Sequence, residues 1–170
     1  KMGSRVYGPT TIGAQCRIGG EVSNATFLGF SNKGHEGFLG NSVIGHWCNL
    51  GADTNTSNLK SNYSSVRLWS EKEQMYVDSG LQFCGLIMGD HSKSGINTMF
   101  NTGTIVGPGC NIFGSGFQPK HIPSFSWGGG QKWQLHDFDK FIHTARAVME
   151  RRGIILMEAD IECWREQHQI

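Results

Sequence analysis

The sequence is short of proline, with 4 in 170 residues against 24 glycines, so many tight corners are expected rather than a proline-rich disordered chain. It also lacks a charge excess: 15 Lys+Arg face 14 Asp+Glu, a formal net charge of +1. Without a polybasic field, nucleic acid is not an expected partner. No apolar run approaches the roughly 20 residues that a bilayer-spanning helix needs, and no signal peptide opens the chain, so neither a membrane nor a secreted location is expected. The five cysteines (Cys16, Cys48, Cys84, Cys110 and Cys163) form no CxxC pair, which excludes a zinc ribbon or a dithiol redox motif. They read as reduced thiols filling core positions of a cytoplasmic protein.

What the chain has in abundance is an aliphatic residue followed by glycine. Ile12-Gly13 and Ile18-Gly19 are six residues apart, as are Ile44-Gly45 and Leu50-Gly51, and Phe100, Val106 and Ile112 keep the same spacing. Six is neither the period of two of an ordinary strand nor the 3.6 of a helix, so the backbone must turn a corner once per repeat. That is a β-solenoid, a stack of short parallel strands with one aliphatic side chain buried per side. Val6 is already in phase with Ile12 and Ile18, and this abrupt start implies chain upstream.

The hexads occupy residues 1–115, broken by an insertion at about 54–83 where SVRLW and QMYV flank SEKE and predict a β-hairpin thrust out of the stack. An excursion of this length from a regular array points to function, because solenoids bind through their irregular loops. Residues 116–136, aromatic-rich with two prolines and a glycine triplet, read as an extended arm capping or leaving the solenoid. Residues 137–170 differ in kind. Phe138, Phe141, Ile142, Ala145, Val148 and Met149 fall on one helical face closed by Gly153, and a second short helix at about 158–167 buries Ile161 and Trp164.

From His35 runs HEGFLGNSVIGHWCNLGA, and a second block reads GDHSKSGINTMFNTGTIVG. Both resemble the acetyltransferase domain of the bifunctional N-acetylglucosamine-1-phosphate uridylyltransferases and related sugar-1-phosphate nucleotidylyltransferases, over about residues 5–115. The resemblance implies a mainly β fold, a left-handed parallel β-helix of hexapeptide repeats. It further implies a homotrimer with acetyl-CoA and an amino-sugar 1-phosphate bound between subunits, and no metal in this domain. By the same resemblance His35 is the general base, taking a proton from the sugar's amino group as it attacks the thioester. Asn49, Asn58 and Arg67 contact the sugar phosphate, with Phe38 and Lys33 on the same side; Ala52 and Asn97 belong to the acyl donor.

The residue types suit that chemistry. Imidazole accepts a proton near neutral pH, a fixed backbone N–H can stabilise the oxyanion of an attacked thioester, and a guanidinium binds phosphate bidentately. Against the family pattern, Phe38 replaces a tyrosine, Ser23 a lysine and Ile96 a serine, with Lys33 and Lys60 close enough in sequence to compensate. His35, His46 and His91 are too scattered to form the three-histidine zinc site of β-helix carbonic anhydrases. The rival expectation is a catalytically silent trimerisation module of a UDP- or dTDP-sugar pyrophosphorylase. In either case nucleotidyl transfer is expected to reside upstream, since no glycine-rich nucleotide-binding start is present.

Overall fold

A computed structural model of the chain describes residues 1–169. Hexad spacing becomes geometry directly: the strands stack in parallel on three faces and the chain turns a corner between each. The second face is a six-stranded parallel sheet of Thr11–Ile12, Thr26–Gly29, Val43–His46, Leu86–Met88, Thr104–Val106 and His121–Ile122. Each of these strands marks one coil below. The third face runs through Arg17–Ile18, Asn32–Lys33, Asn49–Leu50, Lys93–Ser94, Asn111–Ile112 and Ser126–Gly129, closed by the antiparallel strand Lys132–Leu135. The first face is split into Arg5–Tyr7, Glu21–Ser23 and Phe38–Gly40, then Asn55–Thr56 with Met99–Phe100. The mainly β parallel β-helix expected from the hexads is therefore the fold.

Val22 and Leu39 on the first face, Phe27, Ile44, Met88 and Val106 on the second, and Leu50 and Ile112 on the third point into one continuous apolar core. Each such side chain contributes roughly 1.5–3 kcal/mol by leaving water. Residues 116–136 continue this stack. His121–Ile122 and Ser126–Gly129 pair in parallel with Ile105–Val106 and Asn111–Ile112, and the hairpin to Lys132–Leu135 ends it. Ile122 sits in the core because it keeps the inward place of Val106.

The extruded hairpin leaves the fourth coil between the first and second faces. Its strands, Arg67–Ser70 and Met75–Asp78, pair antiparallel with Trp69 opposite Tyr76. It does not project freely. Trp69 stacks on His121 at 4.4 Å and 11°, Glu71 Oε1 lies 3.0 Å from His121 Nε2, and Lys120 donates to the Arg67 carbonyl at 3.1 Å.

The corner between the second and third faces explains the C-terminal helices. Five of the six coils place Gln15, Phe30, Trp47, His91 and Phe125 there with φ between 54° and 60°, and the fifth coil has Gly109. Bulky residues in this left-handed region are strained, at about 1–3 kcal/mol each, and stacking offsets the cost: Phe30 lies on Trp47 at 4.1 Å and 13°. Helix α1, Phe138–Glu150, and helix α2, Glu158–His168, cover this ladder. Asp137 caps α1 by accepting from the Lys140 N–H at 2.9 Å. Gly153, at φ 69°, ends it: its N–H donates to Glu150 O and that of Ile154 to Met149 O. Phe141, Ile142, Ala145 and Met149 are buried from α1, and Ile161 from α2, forming a second core with Trp47 and Phe125.

Candidate functional site

The edge between the third and first faces carries the corners Gly19-Gly20, Gly34–Gly37, Gly51–Asp53 and Gly95–Asn97, one per coil. Backbone bonds tie each corner to the next: Asp53 N–H donates to Glu36 O at 3.0 Å, and Asn97 N–H to Ala52 O at 2.8 Å. Gly37 takes φ 115°, and a Cβ there would stand 2.3 Å from Thr54 O, so the corner that carries His35 requires glycine. His35, Ala52 and Asn97 thereby share one edge because the hexad period returns them to the same corner.

A cavity of about 410 Å³ opens along this edge, lined by His35, Asn49, Ala52, Ile96, Arg17 and Arg151 among others. Asn49 reaches it from the third face, in register between Asn32 and Lys93. The His35 imidazole is exposed, and among the described residues no carboxylate or hydroxyl of the chain bonds it. Asn97 sits one corner beyond, with its side chain exposed.

A second cavity of about 300 Å³ shares Arg17, Asn32, Asn49 and Arg151 with the first and adds Phe30, Trp47, Lys93 and Arg152. The two form one groove on the third face beside the C-terminal end of α1. Arg17, Lys93, Arg151 and Arg152 line it with no aspartate or glutamate among the lining residues. Arg152 is held in place by Gln15 Oε1 at 3.4 Å and Asn32 Oδ1 at 3.3 Å, both accepting from its guanidinium. Burial holds the Lys93 ammonium below the usual lysine range, and it donates to His91 O at 2.8 Å. Cys48, also at this groove, is no nucleophile, because burial pushes its thiol up to about 12.

The other sequence candidates lie elsewhere. Phe38 and Asn58 meet over Gly40 on the first face, where a Cβ would fall 2.5 Å from Phe38 Cζ and 2.6 Å from Asn58 Nδ2. Asn58 also donates to Asn41 Oδ1 at 2.8 Å. Arg67 is exposed on the docked hairpin, at a different corner, with its guanidinium donating to Tyr76 O. Lys33 faces inward: its side chain is 1% exposed and its Nζ donates to the carbonyls of Gly19 and His35. It cannot reach a ligand in the cavity from there. The groove arginines are what sequence reasoning missed; the adjacent pair Arg151-Arg152, just before the glycine that ends α1, was the available signal.

Among the described residues no group of three or more His, Cys, Asp or Glu could hold a metal ion, and no helix is long and apolar enough to cross a membrane. No protein-family model matches the chain. Curated proteins do. The chain is 33% identical over 104 residues to the bifunctional protein GlmU of Methanocaldococcus jannaschii, covering 61% of this chain and 25% of that protein. It is 32% identical over 87 residues to GlmU of Methanococcus aeolicus, covering 51% and 20%. To GlmU of Trichodesmium erythraeum it is 27% identical over 121 residues, covering 70% and 22%. The chain thus spans a quarter or less of the length of these relatives. The resemblance drawn from the His35 motif holds in both respects, since these relatives carry that family's name and the fold is the parallel β-helix it implied.

Proposed function

We propose that this chain is the acetyl-transferring part of a sugar-1-phosphate nucleotidyltransferase, moving acetyl from acetyl-CoA to the amino group of an amino-sugar 1-phosphate such as glucosamine 1-phosphate. The observation that carries the reading is the convergence of His35, Asn49 and Ala52 on one cavity that opens into a groove lined by basic side chains. Coenzyme A supplies an activated thioester and several phosphates, and an uncompensated cluster of Arg17, Lys93, Arg151 and Arg152 suits such an anion. His35 accepts the proton of the sugar's amine as that nitrogen bonds the acyl carbon and the C–S bond breaks, a role commonly worth ~10²-fold to 10⁴-fold. Asn49 orients the acceptor from the third face. Asn97 and Ala52 line the donor's side, where a backbone N–H stabilises the oxyanion.

Arg67 and Asn58 act on the sugar phosphate of a site completed by a neighbouring subunit, since Arg67 and His35 occupy different corners of one chain. A homotrimer packed through the second face fits this requirement. Its outward strand positions in the first five coils, Thr11, Thr26, Val43, Ile87 and Ile105, hold no charged residue, and Leu28 and Val43 are exposed; the sixth, His121, is covered by the hairpin. Such work belongs in the cytoplasm, with any nucleotidyl transfer performed by chain beyond this segment.

The test is thiol release from acetyl-CoA with a panel of amino-sugar phosphates. Wild type should turn over, and His35→Ala should lose ~10²-fold or more in kcat with melting temperature and oligomeric mass unchanged. An unfolded His35→Ala would make the histidine structural and end the assignment. A second reading, a silent assembly module, draws on Phe38 in place of the family's tyrosine and on an imidazole that no side chain among the described residues orients. Wild type that neither releases thiol at high concentration nor retains coenzyme A would leave that reading standing.

A further inference from the structure

Lys33 stands where the repeat asks for an aliphatic side chain. Its register partner in the preceding coil is Ile18, and Leu50 holds the same place in the following one. Its burial is as complete as theirs, with 1% of the residue exposed. Removing an ammonium from water carries a large desolvation cost, and replacing a buried charge by a well-packed aliphatic is often neutral or stabilising. Core packing therefore gives no reason for a lysine here. Its contacts do. Nζ donates to Gly19 O at 3.2 Å and to His35 O at 2.8 Å, bridging the same corner of two successive coils from the inside. Burial holds its pKa below the usual lysine range, and the carboxylates of Glu36 and Asp53 oppose that pull.

The corner it holds needs holding. His35 and Glu36 lie between Gly34 and Gly37, two residues with little backbone stiffness of their own, and both face solvent. Among the described residues no side chain bonds the imidazole, so its anchorage is the backbone, which sets the direction of the Cα–Cβ bond. We propose that Lys33 is a positioning residue for His35, its buried amino group clamping the His35 and Gly19 carbonyls so that the backbone from which the imidazole extends is held against the cavity. This inference rests on His35 acting as the base. Because a displacement of about 1 Å can cost ~10²-fold in rate, a clamp on the backbone of a base acts on kcat and leaves ground-state binding alone.

The variant Lys33→Met keeps the stem and volume without the ammonium, and Lys33→Leu copies the neighbouring coil. Either should fold with a melting temperature equal to or above wild type, show KM values within about twofold for both substrates, and lose ~10-fold to ~10²-fold in kcat. Amide exchange should accelerate at Asp53 and Glu21, whose N–H groups donate to Glu36 O and Gly37 O, and stay unchanged at Gly107, bonded to Ile122 O on the second face. Unchanged kcat, unchanged exchange at the corner, or unfolding of both variants would each overturn the inference. A silent wild type would instead remove the acyl-transfer reading, while the exchange comparison still decides whether Lys33 clamps the corner.

Discussion

His91 is the most strongly perturbed histidine of the chain. Burial first, and the charges of Lys93 and His46 after it, lower its pKa to about 3, and among the described residues its Nδ1 has no hydrogen-bond partner. Trp47, Phe141 and Trp164 surround the ring at 6.0, 6.0 and 4.7 Å. A histidine with a folded pKa below its unfolded value contributes stability that is present above about pH 6.5 and lost as pH falls towards 3, because only the unfolded chain takes up the proton there. At 1.36 kcal/mol per unit, wild type should lose about 3 kcal/mol between pH 7 and pH 4 from this group alone. His91→Phe, a ring type that Phe30 and Phe125 already carry at this corner, should flatten that slope. Parallel melting curves for the two proteins across this range would refute the account. At this scale the His35 motif was legible because its residues sit in one contiguous run. Lys33 was misread as a ligand contact because lysine is almost never fully buried, and nothing local marks the exception.

At the scale of elements, the hexads and the hairpin follow from spacing and turn chemistry, whereas the docking of the hairpin does not. Trp69 and Glu71 reach His121 across 52 and 50 residues of sequence, and no local pattern encodes such a pairing. The same distance in sequence hid the last coil: Pro119, Pro123 and the glycines of 128–130 suggest an arm, yet ladder pairing to Ile105 and Asn111 overrides them. The docked hairpin presents Arg67 to solvent. Arg67→Ala should therefore raise KM for the phosphorylated sugar severalfold and leave KM for acetyl-CoA within about twofold, as expected for loss of one charge-assisted pair. Steady-state kinetics with each substrate varied in turn decides it, and equal effects on both would remove the phosphate contact.

At the scale of the whole molecule there are two cores, one inside the coils and one between the aromatic corner and the helices. The first was legible from the hexads. The second was visible only as a helical apolar stripe, since the aromatics that it covers are spaced irregularly at Phe30, Trp47, His91 and Phe125. The groove of cations lies between these bodies, with Arg17 on the coils and Arg152 beyond α1, so neither part of the sequence announces it alone. Assembly is a property of this scale too. Val43→Asp places a charge among the apolar outward positions of the second face, and it should convert the proposed trimer into monomers and abolish the proposed acetyl transfer without unfolding the coils. Sedimentation with circular dichroism measures both; a variant that stays trimeric moves the interface to another face.

The pairing of Asn49 with Lys93 is unaffected by everything spliced between them. Rungs on either side of the excursion meet as though the intervening chain were missing, so the corner after Thr56 is a graft point where cassettes of other lengths could be exchanged without breaking the ladder. New recognition loops could then arise at that edge without renegotiating the wall that supports them.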